Sequence, residues 1–146
     1  MHSATRLQAA WSWKSAGHAC GVLVCDGERR DHVSDCLFCK IADGSIPSQA
    51  VYADDHVLAF RDINPGAPVH VLLMPRRHVA NLNDLGPDDA ELAGHLMLTA
   101  ARVARDLGVA ESGYRVVANV GPDAGQSVNH LHWHILGGRG LNWPPG

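Results

Sequence analysis

Near its end the chain reads QSVNHLHWHILGG, with His130, His132 and His134 at alternate positions. Successive strand side chains point to opposite faces, so this spacing sets three imidazoles on one face. They stand about 7 Å apart in a regular strand. Leu131, Trp133 and Ile135 take the other face and suit a core. Two chemistries fit such a row. Alternate histidines on a strand can present their ring nitrogens to one metal ion. Alternatively, one neutral imidazole can attack phosphorus and carry the phosphoryl group on nitrogen, while its neighbours position it, move protons and offset charge on the oxygens. That second chemistry is mostly positioning and electrostatics and needs no metal. The preceding GPDAGQS run is the kind of glycine-rich loop that brings backbone N–H groups close to an anion.

The elements that must hold this row are legible from Asp35 onward. DCLFCKIADG predicts a short helix, with Asp35 as N-cap and Gly44 just past its end. SQAVYAD and HVLAFRDI predict a hairpin around an acidic turn. VHVLLMP predicts a strand stopped by Pro75. The long helix is PDDAELAGHLMLTAARVARDLG, with Pro87 at its first position and Asp88 and Asp89 at the positive end of its dipole. Leu92, Leu96, Ala100, Val103 and Leu107 form one apolar stripe along it, closed by Gly108. YRVVANV and VNHLHWHILGG supply the last two strands. The order predicts an α+β fold, an antiparallel sheet with helices on one face.

Composition bounds the function. The 146 residues fit one domain with a substantial core. A net charge of −3 argues against a general electrostatic grip on nucleic acid or anionic membrane. No run approaches the roughly 18 apolar residues of a membrane span, and the start lacks a proper signal peptide. The expected location is cytoplasmic, where cysteines act as thiols or metal ligands rather than disulfides. Residues 1–33 show no sustained period and read as a partly disordered extension, with residues 34–146 as the domain. Trp11 and Trp13 of that extension could dock on the domain, while Cys20 and Cys25 could pair or bind metal, although two isolated thiols in a tail are more often inert.

HLHWHIL has the pattern of the histidine triad (HIT) proteins, and the chain resembles that superfamily over residues 35–146. CLFCKIADGSIPS, VLAFRDINPGAPVHVLLMPRRHV, GYRVVANVGPDAGQSVNHLHWHILGG and the terminal WPPG all resemble its Hint branch. The resemblance implies a HIT-like fold: a five-stranded antiparallel sheet with two helices, extended across a homodimer into ten strands. It implies hydrolysis of purine nucleoside phosphoramidates through a covalent nucleotidyl-histidine intermediate, with no cofactor for catalysis. Position by position, it makes His132 the nucleophile, His134 a contact to the α-phosphate, and His70 a support for the nucleophile across the sheet. Ser127 would pass a proton to the departing amine. Asn119, Gly125 and Gln126 would line the phosphate pocket, and Asp62 would hold the ribose hydroxyls. Phe60, Ile63 and Leu72 would wall the purine, and Trp143 would reach towards the partner subunit's site. Singly, each has an ordinary reading: Phe60, Ile63 and Leu72 as core, Asp62 as a turn residue, Ser127 as a loop hydroxyl, Trp143 as a tail anchor.

Cys36 and Cys39 have the C-x₂-C spacing of half a zinc site. In HIT relatives carrying this pair, a histidine after the central strand and the first triad histidine complete a structural zinc site, which here implies His78 and His130. Two rival functions accompany the leading one. Cleavage of dinucleoside polyphosphates is the habit of another HIT branch, and a nucleotide sensor with incidental hydrolysis belongs to a different class.

Overall fold

A computed structural model of the chain describes residues 34–145. The expectations for residues 1–33, including Trp11, Trp13, Cys20 and Cys25, lie outside the described residues. The elements are α1 (Leu37–Ala42), β1 (Ala50–Ala53), β2 (Val57–Arg61), β3 (Val69–Pro75), α2 (Ala90–Asp106), β4 (Tyr114–Ala118) and β5 (Trp133–Gly137). Two 3₁₀ turns, Leu82–Asp84 and Pro87–Asp89, lead into α2. The strands form one antiparallel sheet in the order β1-β2-β3-β5-β4. Among the described residues, no helix is long and apolar enough to cross a membrane.

The two helices cover opposite faces of the sheet, not one face as the sequence suggests. The cause lies in β2 and β3, whose VLAF and VLLM runs are apolar on both sides. Alternation sends Val57, Ala59, Val71 and Leu73 to one side, where Leu96, Ala100 and Val103 of α2 pack against them. It sends Leu58, Phe60, Leu72 and Met74 to the other, where Phe38 of α1 covers them. A sheet buried on both faces needs cover on both. The predicted stripe of α2 holds: Leu96, Ala100 and Val103 are buried, with Leu92 and Leu107 packed at the edges of the same cluster. The helix ends as expected at Gly108, whose φ of +73° suits glycine.

One end of α1 matches expectation and the other does not. Its C-terminal Gly44 is left-handed as predicted, with φ +84°. Its N-cap is Cys36 rather than Asp35, and it makes no side-chain capping bond. The Cys36 thiol points instead towards His130, 3.5 Å away. Asp54 fastens the β1–β2 turn. It accepts N–H bonds from Val57 (2.8 Å) and His56 (2.9 Å) and the Tyr52 hydroxyl (2.8 Å), and lies 2.7 Å from His95 of α2. Burial opposes its charge, but these donors outweigh it and hold the carboxyl well below the usual range.

The register places the row that matters. Phe60 pairs with Leu72, and Leu72 with His134, so all three share the α1 face. The last strand is shorter than predicted. It begins at Trp133, so only His134 of the triad lies within it. His130 and His132 precede it, with Leu131 N–H bonded to the Val79 carbonyl at 2.6 Å. The alternation survives nonetheless: Leu131 and Ile135 enter the α2 core, with Trp133 packed against it.

Candidate functional site

His132 is the most constrained of the three histidines. It is only 4% exposed, and its Nδ1 lies 2.6 Å from the His130 carbonyl oxygen. A carbonyl accepts and never donates. Nδ1 therefore carries the proton of the neutral ring, and Nε2 keeps its lone pair. Phe38 packs perpendicular to this ring, centroid to centroid 5.0 Å, and the ring of His134 stands 5.1 Å away on another side. The result is an imidazole of fixed pose with a basic nitrogen directed away from its own anchor.

His134 and His70 form the second part of the site. His70 Nε2 lies 2.8 Å from His134 Nδ1, and the Gly66 N–H donates to His70 Nδ1 at 3.0 Å. His70 thus bonds to His134 rather than to the ring of His132, so any support it lends His132 passes through His134. Asp62 Oδ2 lies 3.5 Å from His70 Nε2, and Asp62 Oδ1 accepts the Asn64 N–H at 2.8 Å. Burial, then the rings of His132 and His70, push His134 from 6.5 down to about 4, with the Asp62 carboxylate opposing. At neutral pH His134 therefore offers a hydrogen bond, not a positive charge.

The remaining residues expected at the site divide by exposure. Phe60 and Leu72 are 5% and 7% exposed and belong to the core beneath the histidines, while Ile63 is 91% exposed. They form a buried floor and one projecting side chain rather than a closed slot. Asn119 is half-buried and Ser127 exposed on the loop before the triad. Trp143 is 84% exposed. Gln126 is placed differently from expectation. Its side chain accepts the Gly121 N–H (3.0 Å) and donates to the Ala80 and Val128 carbonyls (2.8 and 3.1 Å), and its own N–H bonds to Gly121 O. It braces the loop and has no donor left over for a phosphate. Gly125 likewise gives its N–H to Pro122 O; its contribution is the left-handed turn at φ +74°.

Among the described residues, two clusters have the ligand types for a metal: Cys36, Cys39, His78 and His130, and Asp62, His70 and His134. Hydrogen bonding separates them. In the first, Cys36 Sγ and Cys39 Sγ lie 3.5 and 3.7 Å from His130 Nδ1, and Cys39 Sγ lies 3.4 Å from His78 Nδ1. Tetrahedral zinc with ordinary Zn–S and Zn–N bonds sets sulfur and nitrogen about 3.6 Å apart, so the spacing fits. His130 Nε2 lies 2.9 Å from the Pro75 carbonyl, which places its proton there and leaves Nδ1 for an ion. When bound, zinc would tie α1 to the strand that carries His130, in a closed four-ligand site. The second cluster does not fit a cation as well. With His70 Nδ1 already accepting from Gly66, a metal on Nε2 would require an imidazolate. Among the described residues, His130 lies in a cluster that could hold a metal, while His132 belongs to neither cluster.

Sequence reasoning missed three contributors. Phe38 was legible only as a helix residue, though its place between the two cysteines was a signal. Gly66 acts through its backbone N–H, and Pro75 through its carbonyl; neither leaves a mark in residue type.

The sequence profile of the HIT domain family matches residues 43–141. An uncharacterized HIT-like protein of Synechocystis sp. is 52% identical over 112 residues, covering 77% of this chain and 97% of its own. Among solved structures, a HIT family hydrolase from Legionella pneumophila is 50% identical with a TM-score of 0.76, covering 77% of this chain and all of its own. A histidine triad protein from Clostridium difficile is 45% identical with a TM-score of 0.73, covering 75% and 96%.

The metal assignment is open to direct assay. Purified protein should carry about one zinc per chain, from one complete ligand set, and Cys36→Ser should lose most of it and melt at lower temperature. Equal metal content in the two proteins would refute the site.

Proposed function

The chain belongs to the HIT domain family, and from that premise we propose that it hydrolyses purine nucleoside phosphoramidates in the manner of the Hint branch. The observation that carries this reading is the 2.6 Å contact between His132 Nδ1 and the His130 carbonyl, which leaves Nε2 unprotonated in a neutral ring. Similarity to HIT family hydrolases of Legionella pneumophila and Clostridium thermocellum supports the broader class of nucleotide hydrolase.

The reaction runs in two steps. His132 Nε2 attacks the α-phosphorus in line, and the P–N bond to the amine breaks. The amine is a poor leaving group unless it gains a proton, which is the role of Ser127 at the open end of the loop. His134 donates its Nε2–H to a phosphoryl oxygen, where negative charge must be held. Water then attacks the same phosphorus, the P–N bond to His132 breaks, and nucleoside monophosphate leaves. The purine lies over the Phe60 and Leu72 floor beside Ile63, with Asp62 facing the ribose hydroxyls. Asn119 lies at the phosphate end. No catalytic metal takes part.

The working unit is a homodimer. β4 lies at one edge of the sheet. Beside it an apolar groove of about 400 Å³ is lined by Met97, Tyr114, Val116 and Trp133 among others. Met97 and Val116 are 66% and 40% exposed, and an open apolar edge of this kind favours pairing with another strand. A second copy joined at β4 would extend the sheet and give Trp143 a partner site to reach.

Two experiments test this. An adenosine phosphoramidate should be turned over at least tenfold faster than a diadenosine polyphosphate, and His132→Ala should lose at least about 10³-fold in kcat, the scale of removing a nucleophile. Survival of turnover in His132→Ala, or preference for the polyphosphate, would reject the assignment. Sedimentation should report twice the chain mass of 15.6 kDa, and a monomer would remove the dimer from the account.

A further inference from the structure

We propose that the backbone N–H of Gly66 is a positioning group for the phosphoryl site: it sets the tautomers of His70 and His134, so that His134 meets the substrate's oxygen with an N–H and never with a lone pair. This rests on the reading of the triad as a phosphoryl-transfer centre.

A backbone amide can only donate. The Gly66 N–H points at His70 Nδ1, 3.0 Å away, so that nitrogen must hold a lone pair. A neutral imidazole has one proton, and in His70 it therefore sits on Nε2. Nε2 faces two acceptors, His134 Nδ1 at 2.8 Å and Asp62 Oδ2 at 3.5 Å, and both demand the proton there. His134 Nδ1 is then an acceptor, and the proton of that ring is on Nε2. Three links carry the direction of one amide from an exposed loop to the reacting oxygens. Reversal at the first link would reverse the last, and a donor to a phosphoryl oxygen would become a repelling lone pair.

The loop holds that amide in place. Arg139 Nη2 donates to the Gly66 carbonyl at 3.0 Å, and the next residue, Ala67, is buried. Gly66 is not in a left-handed conformation. A Cβ there would come no closer than 3.9 Å to any atom outside its neighbours, the nearest being His70 Nδ1. The position is therefore defined by its N–H rather than by the lack of a side chain.

The test has a structural and a kinetic arm. Nitrogen-15 NMR of the ligand-free wild-type protein distinguishes N–H from lone-pair nitrogens in each ring. Both His70 and His134 should be protonated on Nε2, and an Nδ1–H on either ring overturns the proposal whatever the activity. In the kinetic arm, Gly66→Pro removes the N–H, and kcat on an adenosine phosphoramidate should fall about 10–100-fold with KM changed much less, as for a donor that matters most in the transition state. Gly66→Ala restores the N–H and should rescue kcat. A folded Gly66→Pro protein with wild-type kcat overturns the proposal, and if that variant fails to fold the NMR result decides. Nε2–H on both rings in a protein inert towards nucleotides would sustain the tautomer assignment and reject the phosphoryl-transfer reading instead.

Discussion

The bond from His132 Nδ1 to the His130 carbonyl is the contact on which the rest of the site depends. A free imidazole exchanges its proton between two nitrogens and turns about its side-chain bonds. Here one nitrogen is committed to a carbonyl and the ring is held by Phe38 and His134. Burial to 4% exposure removes the water that would compete. The remaining nitrogen is held in one direction, as the proposed attack on phosphorus requires. Much of the advantage an enzyme has over solution is this kind of prior orientation.

His130 stands between the proposed nucleophile and the candidate metal cluster. Its carbonyl anchors His132, while its ring lies among Cys36, Cys39 and His78 and is itself oriented by Pro75. The same short helix that supplies the cysteines supplies Phe38, which touches the rings of both His130 and His132. A metal in the cysteine–histidine cluster would therefore stiffen the frame of the proposed nucleophile without approaching its Nε2. On the other side, His134 continues the same logic with a neutral ring, because burial beside other imidazoles disfavours its charge. The site contributes hydrogen-bond donors where a more exposed design would place cations.

Much of this was legible in the sequence, for identifiable reasons. The α2 stripe and the β3 strand follow from apolar period and from Pro75, and both stand where the spacing put them. The alternating histidines placed Leu131 and Ile135 in the core although the strand itself starts later. The two-sided cover of the sheet was misread, because short links indicate strand direction and not the side on which a helix lands. The uninterrupted VLAF and VLLM runs were the better signal. Gln126 and Gly125 were expected at a phosphate and are used by their own loop, since residue type does not reveal how many backbone partners lie near. Phe60 and Leu72 share a row with His134, as a packed floor. Proton positions on the rings were beyond reach of the sequence, because backbone groups set them.

The central claim is that His132 Nε2 bonds covalently to phosphorus during turnover. Mass spectrometry of protein quenched in the steady state with an adenosine phosphoramidate tests it most directly. The account predicts a nucleoside monophosphate adduct on the peptide carrying His132, at that residue and no other. Turnover with no adduct anywhere, or with the adduct on a different side chain, would contradict it.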